Sequence, residues 1–140
     1  MKRQGSLFGL VALVALGSCK VEDPFIPTPT NMAGAYSARQ FVMADSQAVH
    51  DWLAAGATLN LNLTVDGKMT GHLFLPGSVT GNGDFDADMA GTWLLAGSVI
   101  QFGQAAQTFV REIDYSAGPD RIIGDKTFGD SLRIIIVLRK

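Results

Sequence analysis

The clearest signal along the chain is strict alternation of apolar and polar residues. In residues 58–65, Leu59, Leu61, Leu63 and Val65 alternate with Thr58, Asn60, Asn62 and Thr64, giving a strand one dry and one wet face. Asp66-Gly67 marks a turn, and the next strand sets Met69, Gly71, Leu73 and Leu75 against Lys68, Thr70, His72 and Phe74. Two loops compete to set the register. A two-residue loop pairs Val65 with Lys68 and puts the lysine's face with the leucines. A three-residue loop, Val65-Asp66-Gly67 with Gly67 left-handed in a bulge, pairs Leu63 with Met69 and keeps apolar opposite apolar. The pattern predicts the bulged hairpin.

The second hairpin is equally readable. Phe85, Ala87, Met89, Gly91, Trp93 and Leu95 share one parity, and Gly97-Ser98 suits a two-residue turn. That turn sets Leu95 opposite Ile100 and Trp93 opposite Phe102, so this pair of strands is expected to hold the centre of the core. Further strands are predicted at about residues 108–115, 121–125 and 131–139, with connections at Gly118-Pro119-Asp120 and Gly129-Asp130. The last has Leu132, Ile134, Ile136 and Leu138 on one face and Ile135 and Val137 on the other. A strand apolar on both faces belongs between two neighbours, so it is expected to close the sheet.

The first strand, residues 34–44, alternates poorly and predicts a bulge. Residues 45–56 offer Asp45 as an N-cap, Gly56 beyond a C-terminus, and Val49, Trp52 and Leu53 on one helical face. They are expected to form a short helix plugging one end, with an irregular loop as the alternative. The expectation is therefore all-β: an antiparallel up-and-down barrel of about eight strands with one short helix, in a single domain at 32–140.

The N-terminus changes the picture of where such a barrel sits. Met1-Lys2-Arg3-Gln4 is basic, an apolar run follows from about Leu7 to Leu16, and Leu16-Gly17-Ser18-Cys19 ends it. This has the form of a secretory signal peptide, too short in its apolar core to span a bilayer. Its end resembles the bacterial lipobox, in which an apolar residue and two small residues precede the cysteine that receives the lipid. The resemblance implies a leader at 1–18, lipidation of Cys19, and a lipid-anchored protein of the bacterial cell envelope. Lys20 stands where the inner-membrane retention signal of such proteins places aspartate, which implies the outer membrane, on its periplasmic side or surface, if the cell is Gram-negative. Residues 19–31, with Pro24, Pro27, Pro29, Thr28 and Thr30, read as an extended tether. Phe25 and Ile26 are its only large apolar residues and are candidates to contact the domain or the bilayer.

Charge narrows the partners. All 13 acidic residues follow the leader, while two of the 11 basic ones, Lys2 and Arg3, lie within it, leaving a net −4. An acidic chain lacks the basic stripe that nucleic acid requires, and attachment to membrane must come from the acyl chains. Cys19 is the single cysteine, so no disulfide is expected and packing alone must hold the domain.

Gly34-Ala35-Tyr36 opens the first strand, Gly91-Thr92-Trp93 lies in the middle and Leu138-Arg139 ends the last strand. In these residues the domain resembles the lipocalin-like, or calycin-type, group of small barrels found in bacterial lipoproteins. Lipocalins have Gly-x-Trp in the first strand, with an arginine of the last strand packed over the tryptophan. Here the first strand has tyrosine, the tryptophan version lies mid-domain and Arg139 is nearly terminal.

Candidate sites are sparse. Asp84, Asp86 and Asp88 share a strand face and could offer oxygens to calcium, but the spacing lacks the glycine and glutamate of an EF-hand loop, so a solvated face is the plainer reading. Arg111 shares parity with Phe109, Ile113 and Tyr115 and would point inward from a regular strand, where its planar fork could hold a carboxylate or phosphate. With Trp93, Phe102, Phe109 and Tyr115 it makes the candidate ligand set. The alternative is an arginine at a barrel mouth reaching water. His50-Asp51 and Ser98 do not sit in a nucleophile elbow, and two histidines with one lipidated cysteine do not make a typical zinc site. No enzyme activity and no cofactor are expected. The expected function is a barrel binding a small apolar or amphipathic ligand, with Gly71 and Gly91 leaving space inside; the alternative is a side-chain-filled structural barrel contacting an envelope protein.

Overall fold

The computed structural model describes residues 22–104 and 108–140. The leader and Cys19 lie outside the described residues. The fold is all-β, a closed eight-stranded antiparallel barrel with one extra strand and a few short helical pieces. Its strands are β1 (Gly34–Ala44), β3 (Thr58–Leu63), β4 (Lys68–Leu75), β5 (Phe85–Ala96), β6 (Val99–Gln104), β7 (Tyr115–Ala117), β8 (Arg121–Phe128) and β9 (Leu132–Arg139), each beside its successor. The extra strand, β2 (Val49–Asp51), lies outside the barrel against β1.

Both predicted hairpins form in the expected register. Leu63 faces Met69 and Gly67 adopts a left-handed φ of 86°, so the β3–β4 loop is the bulged one. Val65 sits in that loop and is exposed, not on the dry face. Trp93 faces Phe102 and Leu95 faces Ile100 across the Gly97-Ser98 turn. β3 reads alternately exposed and buried along its whole length, so alternation in sequence becomes alternation in space.

Closure runs through β1. Its first residues pair with β3, Gly34 with Leu63 through Ser37 with Asn60. Its later residues pair with β9, Ser37 with Arg139 through Ala44 with Arg133. The predicted bulge lies between, where the register slips between Ala38 and Gln40. β9 accordingly sits between β8 and β1, as its two apolar faces require.

The bulge also explains why the expected helix at 45–56 does not form. Once β1 turns away from β3, its backbone groups at 42–44 need other partners, and β2 supplies them. The Asp45 carboxylate accepts from the Gln47 and Ala48 amides, both at 2.8 Å, which closes a tight turn instead of starting a helix. Val49 is left exposed. Trp52 and Leu53 do pack on the core, from a turn that ends at Gly56 with φ of 102°.

A second correction falls at 108–115, expected as strand. Residues Phe109–Glu112 form a 3-10 turn and only Tyr115–Ala117 enter the sheet as β7. Thr108 and Val110, and Ile113 and Tyr115, keep a spacing of two, but parity slips by one between Val110 and Ile113, where the tight turn lies. The tether is shorter than read from composition: α1 (Pro29–Met32) is a helical turn folded against the barrel. Thr28 and Asn31 form a reciprocal capping box, Pro29 occupies the first turn, and Met32 is fully buried. Tyr36 Oη donates to the Met32 carbonyl at 2.7 Å, and burial with the nearby Asp120 charge pushes its phenol up to about 12.

The barrel thus has two unlike ends. The tether end carries α1 and the β3–β4, β5–β6 and β7–β8 turns. The far end carries β2, α2 (Gly77–Thr80) and the 3-10 turn.

Side chains fill the axis. Tyr36, Phe41, Leu59, Met69, Met89, Ile100, Tyr115 and Ile122 are all less than 2% exposed. Gly71 leaves no space for a ligand: a Cβ there would meet Asn60 O at 2.5 Å and Leu61 Cδ2 at 2.7 Å. Gly124 is likewise occupied, with the Tyr115 ring and Ile113 in its place. Gly71→Ala should therefore cost about 1–3 kcal/mol in urea denaturation. Gly83→Ala, where a Cβ meets nothing within 4 Å, should stay within about 0.5 kcal/mol of the parent.

Candidate functional site

Of the five residues read as a ligand set, Trp93, Phe102 and Tyr115 lie together in the barrel, Trp93 opposite Phe102, while Phe109 and Arg111 lie apart on the 3-10 turn. Phe102 and Tyr115 meet edge-to-face at 5.0 Å inside the barrel. Tyr115 is fully buried, its hydroxyl donates to the Val110 carbonyl at 3.4 Å, and burial pushes its pKa up. Trp93 belongs to the tether end, where Nε1 donates to Thr64 O at 2.8 Å and its backbone amide donates to Gly67 O at 2.9 Å. It braces the bulged loop and presents no free polar atom to a guest. Phe109 joins Phe41 and Trp52 at the far end, with ring centroids 6.1 and 6.2 Å away. Arg111 lies on the 3-10 turn and is exposed, because the strand whose parity turned it inward is absent.

The arginine-over-aromatic contact implied by the lipocalin resemblance is also differently made. Arg139 pairs with Asp120 at 3.3 Å on the surface. Lys140 takes the place over the first-strand aromatic, with Nζ 5.5 Å from the Tyr36 ring centroid and donating to Asn31 O. Lys140 thereby clamps α1 onto the barrel.

Two groupings appear that the sequence reading did not assemble. The first is an open cleft of about 470 Å³ at the far end. Leu75, Phe85 and Phe109 form its apolar side, with Thr80, Asp84 and Thr108 on the polar side. The loop beneath it is internally tied: Asp84 Oδ1 accepts from the Gly77 amide at 2.7 Å and Thr80 Oγ1 donates to Gly83 O at 2.7 Å. Its size falls in the range of small-molecule sites.

The second is His72 between two carboxylates on the outer wall. The β4–β5 register sets His72 opposite Asp88, with Nδ1 2.8 Å from Asp88 Oδ1 and Nε2 3.1 Å from Asp86 Oδ1. The Asp88 hydrogen bond, with both negative charges, raises the imidazole above its ordinary 6.5. Parity placed these side chains on outward faces, but the register across the long 76–84 loop was needed to bring them together. Asp84 is drawn off to cap α2, so the three aspartates do not gather. Among the described residues no group of three or more His, Cys, Asp or Glu side chains is arranged to hold a metal ion. The two ring nitrogens face different carboxylates, which makes a protonated clasp and not a chelate.

Comparison of the chain with protein-family models, with curated proteins and with solved structures finds no match.

The His72 clasp has a definite pH sign. A raised folded-state pKa stabilises below the unfolded value near 6.5 and is lost as pH rises through the folded value. Proton NMR titration should place His72 above 6.5, and Asp88→Asn should bring it back toward 6.5. The stability difference between the parent and His72→Gln should be present at pH 5.5 and fade at alkaline pH. A His72 titrating at or below 6.5 would sink this account.

Proposed function

We propose that this is a lipid-anchored protein of the bacterial cell envelope, outer-membrane where the cell has one, with a non-catalytic lipocalin-like barrel working through its surface. The observation that carries the surface reading is the occupied interior: the space at Gly71 belongs to Leu61 and Met89, and aromatic and aliphatic side chains meet across the axis. A small barrel of eight strands is just wide enough to be filled in this way. The lipobox-like Leu16-Gly17-Ser18-Cys19 supports the anchor, and an envelope protein is the partner that a filled barrel serves. Both ring nitrogens of His72 face carboxylates, which leaves neither free to act as a general base.

A second reading, binding of a small apolar or amphipathic ligand, is favoured by the far-end cleft, whose walls combine Phe85 and Phe109 with hydroxyls and one carboxylate. It moves the ligand from the axis to the mouth and takes Arg111, exposed nearby in sequence, out of the binding set.

Native mass spectrometry of residues 20–140, freshly purified, separates the two. A single apo mass is expected. A discrete added mass released by denaturation would overturn the surface reading, and its loss in Phe85→Asp would assign it to the cleft. For the anchor, Cys19→Ala in the full chain should abolish incorporation of radiolabelled palmitate and release the protein from the membrane fraction. Unchanged labelling would refute lipidation at Cys19.

A further inference from the structure

Large apolar side chains gather on the outside of the tether end. Val65 at the β3–β4 loop is 57% exposed and Leu94 on the outer face of β5 is 62% exposed. Both line one open cleft of about 620 Å³, together with Pro29 at the start of α1. The loop presenting Val65 is held from two sides: Gly67 O and Thr64 O both accept from Trp93, and Thr64 Oγ1 donates to Asp66. Val65 is therefore fixed outward by the bulge that sets the hairpin register.

The tether leaves from the same place. Asn31 Nδ2 donates to Ile26 O at 2.9 Å, which ties the chain to α1 with Phe25 and Ile26 exposed beside it. Of seven large apolar residues exposed among the described residues, four (Phe25, Ile26, Val65 and Leu94) lie at this end. Two surface ion pairs lie at this end, Lys68 with Asp66 and Arg139 with Asp120, and Glu22, Asp23, Arg121 and Lys140 add charges of both signs, so the rim carries little net charge. Such a grouping is what a contact surface looks like.

We propose that the tether end is a membrane-contact surface, with Val65 and Leu94, flanked by Phe25 and Ile26, seated at the headgroup–acyl boundary of the bilayer. The inference rests on the lipid-anchored reading of Cys19. Chain length selects the occupant. From Cys19 to the tied Ile26 the backbone spans at most ~25 Å, so an acylated Cys19 keeps this end within reach of the bilayer. That confinement raises the local concentration of lipid enough for a small apolar surface to stay engaged. An acidic domain gains nothing from anionic headgroups, so the contact should form on neutral lipid.

The test uses the full chain, processed and purified from bacterial membranes and reconstituted into phosphatidylcholine vesicles. V65C, L94C and, as a far-end control, V49C are each labelled with an environment-sensitive thiol dye. The acylated Cys19 sulfur is a thioether and takes no dye, so labelling also reports the anchor. Phosphatidylcholine with brominated acyl chains should quench the dye at 65 and 94 about twofold or more and leave the dye at 49 nearly unchanged. One dye per chain with equal or absent quenching at all three positions would overturn the contact surface and leave the anchor standing. Two dyes per chain would show a free Cys19 and overturn the anchored reading and this inference together. A blue shift at 65 that depends on protein concentration without bromolipid quenching would assign the surface to a second copy and overturn the lipid contact.

Discussion

Ser37 pairs with Asn60 on one side and with Arg139 on the other, and the rest of the barrel depends on that double duty. A flat β1 would have added one more strand to an open sheet. The slip between Ala38 and Gln40 lets its first half finish the ladder with β3 and its second half close on β9. The departure leaves an opening between β1 and β3 at the far end, which the 52–56 turn covers. Trp52 and Leu53 amides both donate to the Phe41 carbonyl, and the Trp52 ring packs edge-to-face on Phe41 at 5.2 Å. Closure, the extra strand and the far-end aromatic cluster are thus consequences of one irregular residue pair.

The parts legible in the sequence are those where a turn and an alternation agree. Gly67 and Gly97 each dictate a loop geometry, and the flanking parities then leave one register for Leu63 with Met69 and for Trp93 with Phe102. Misreadings occur where a distant element supplies the reason. The helix expected at 45–56 looked sound from Asp45 and Gly56, but its backbone is recruited by the edge that β1 vacates. Tyr115 and Ile113 fill the space over Gly124, a residue of β8, so the segment before them folds as a tight turn whose slip in parity could be seen only once its target was known. Arg111 moved outward for the same reason. The His72 clasp needed the β4–β5 register, which a loop from residue 76 to 84 does not specify.

The occupied axis shifts attention to the two ends. Residues read as a ligand set serve the scaffold: Phe102 and Tyr115 meet edge-to-face, Trp93 anchors a loop, and Phe109 completes a cluster with Phe41 and Trp52. Among the surfaces outside the filled axis are a mixed polar and apolar cleft at the far end and an apolar rim at the tether end. These are chemically different surfaces about a barrel's length apart, and a filled interior holds them in fixed relation.

The pairing of β1 with β9 has a kinetic side. It joins the first strand of the domain to the last, and Lys140, just after β9, holds α1 in place. Contacts so far apart in sequence are slow to form, because nearly the whole chain must be ordered before they are reached. The hairpins can assemble as the chain appears, but the barrel cannot lock until its last residues are present. A barrel that must cross a membrane in an unfolded form would be kept open by this arrangement until β9 had arrived.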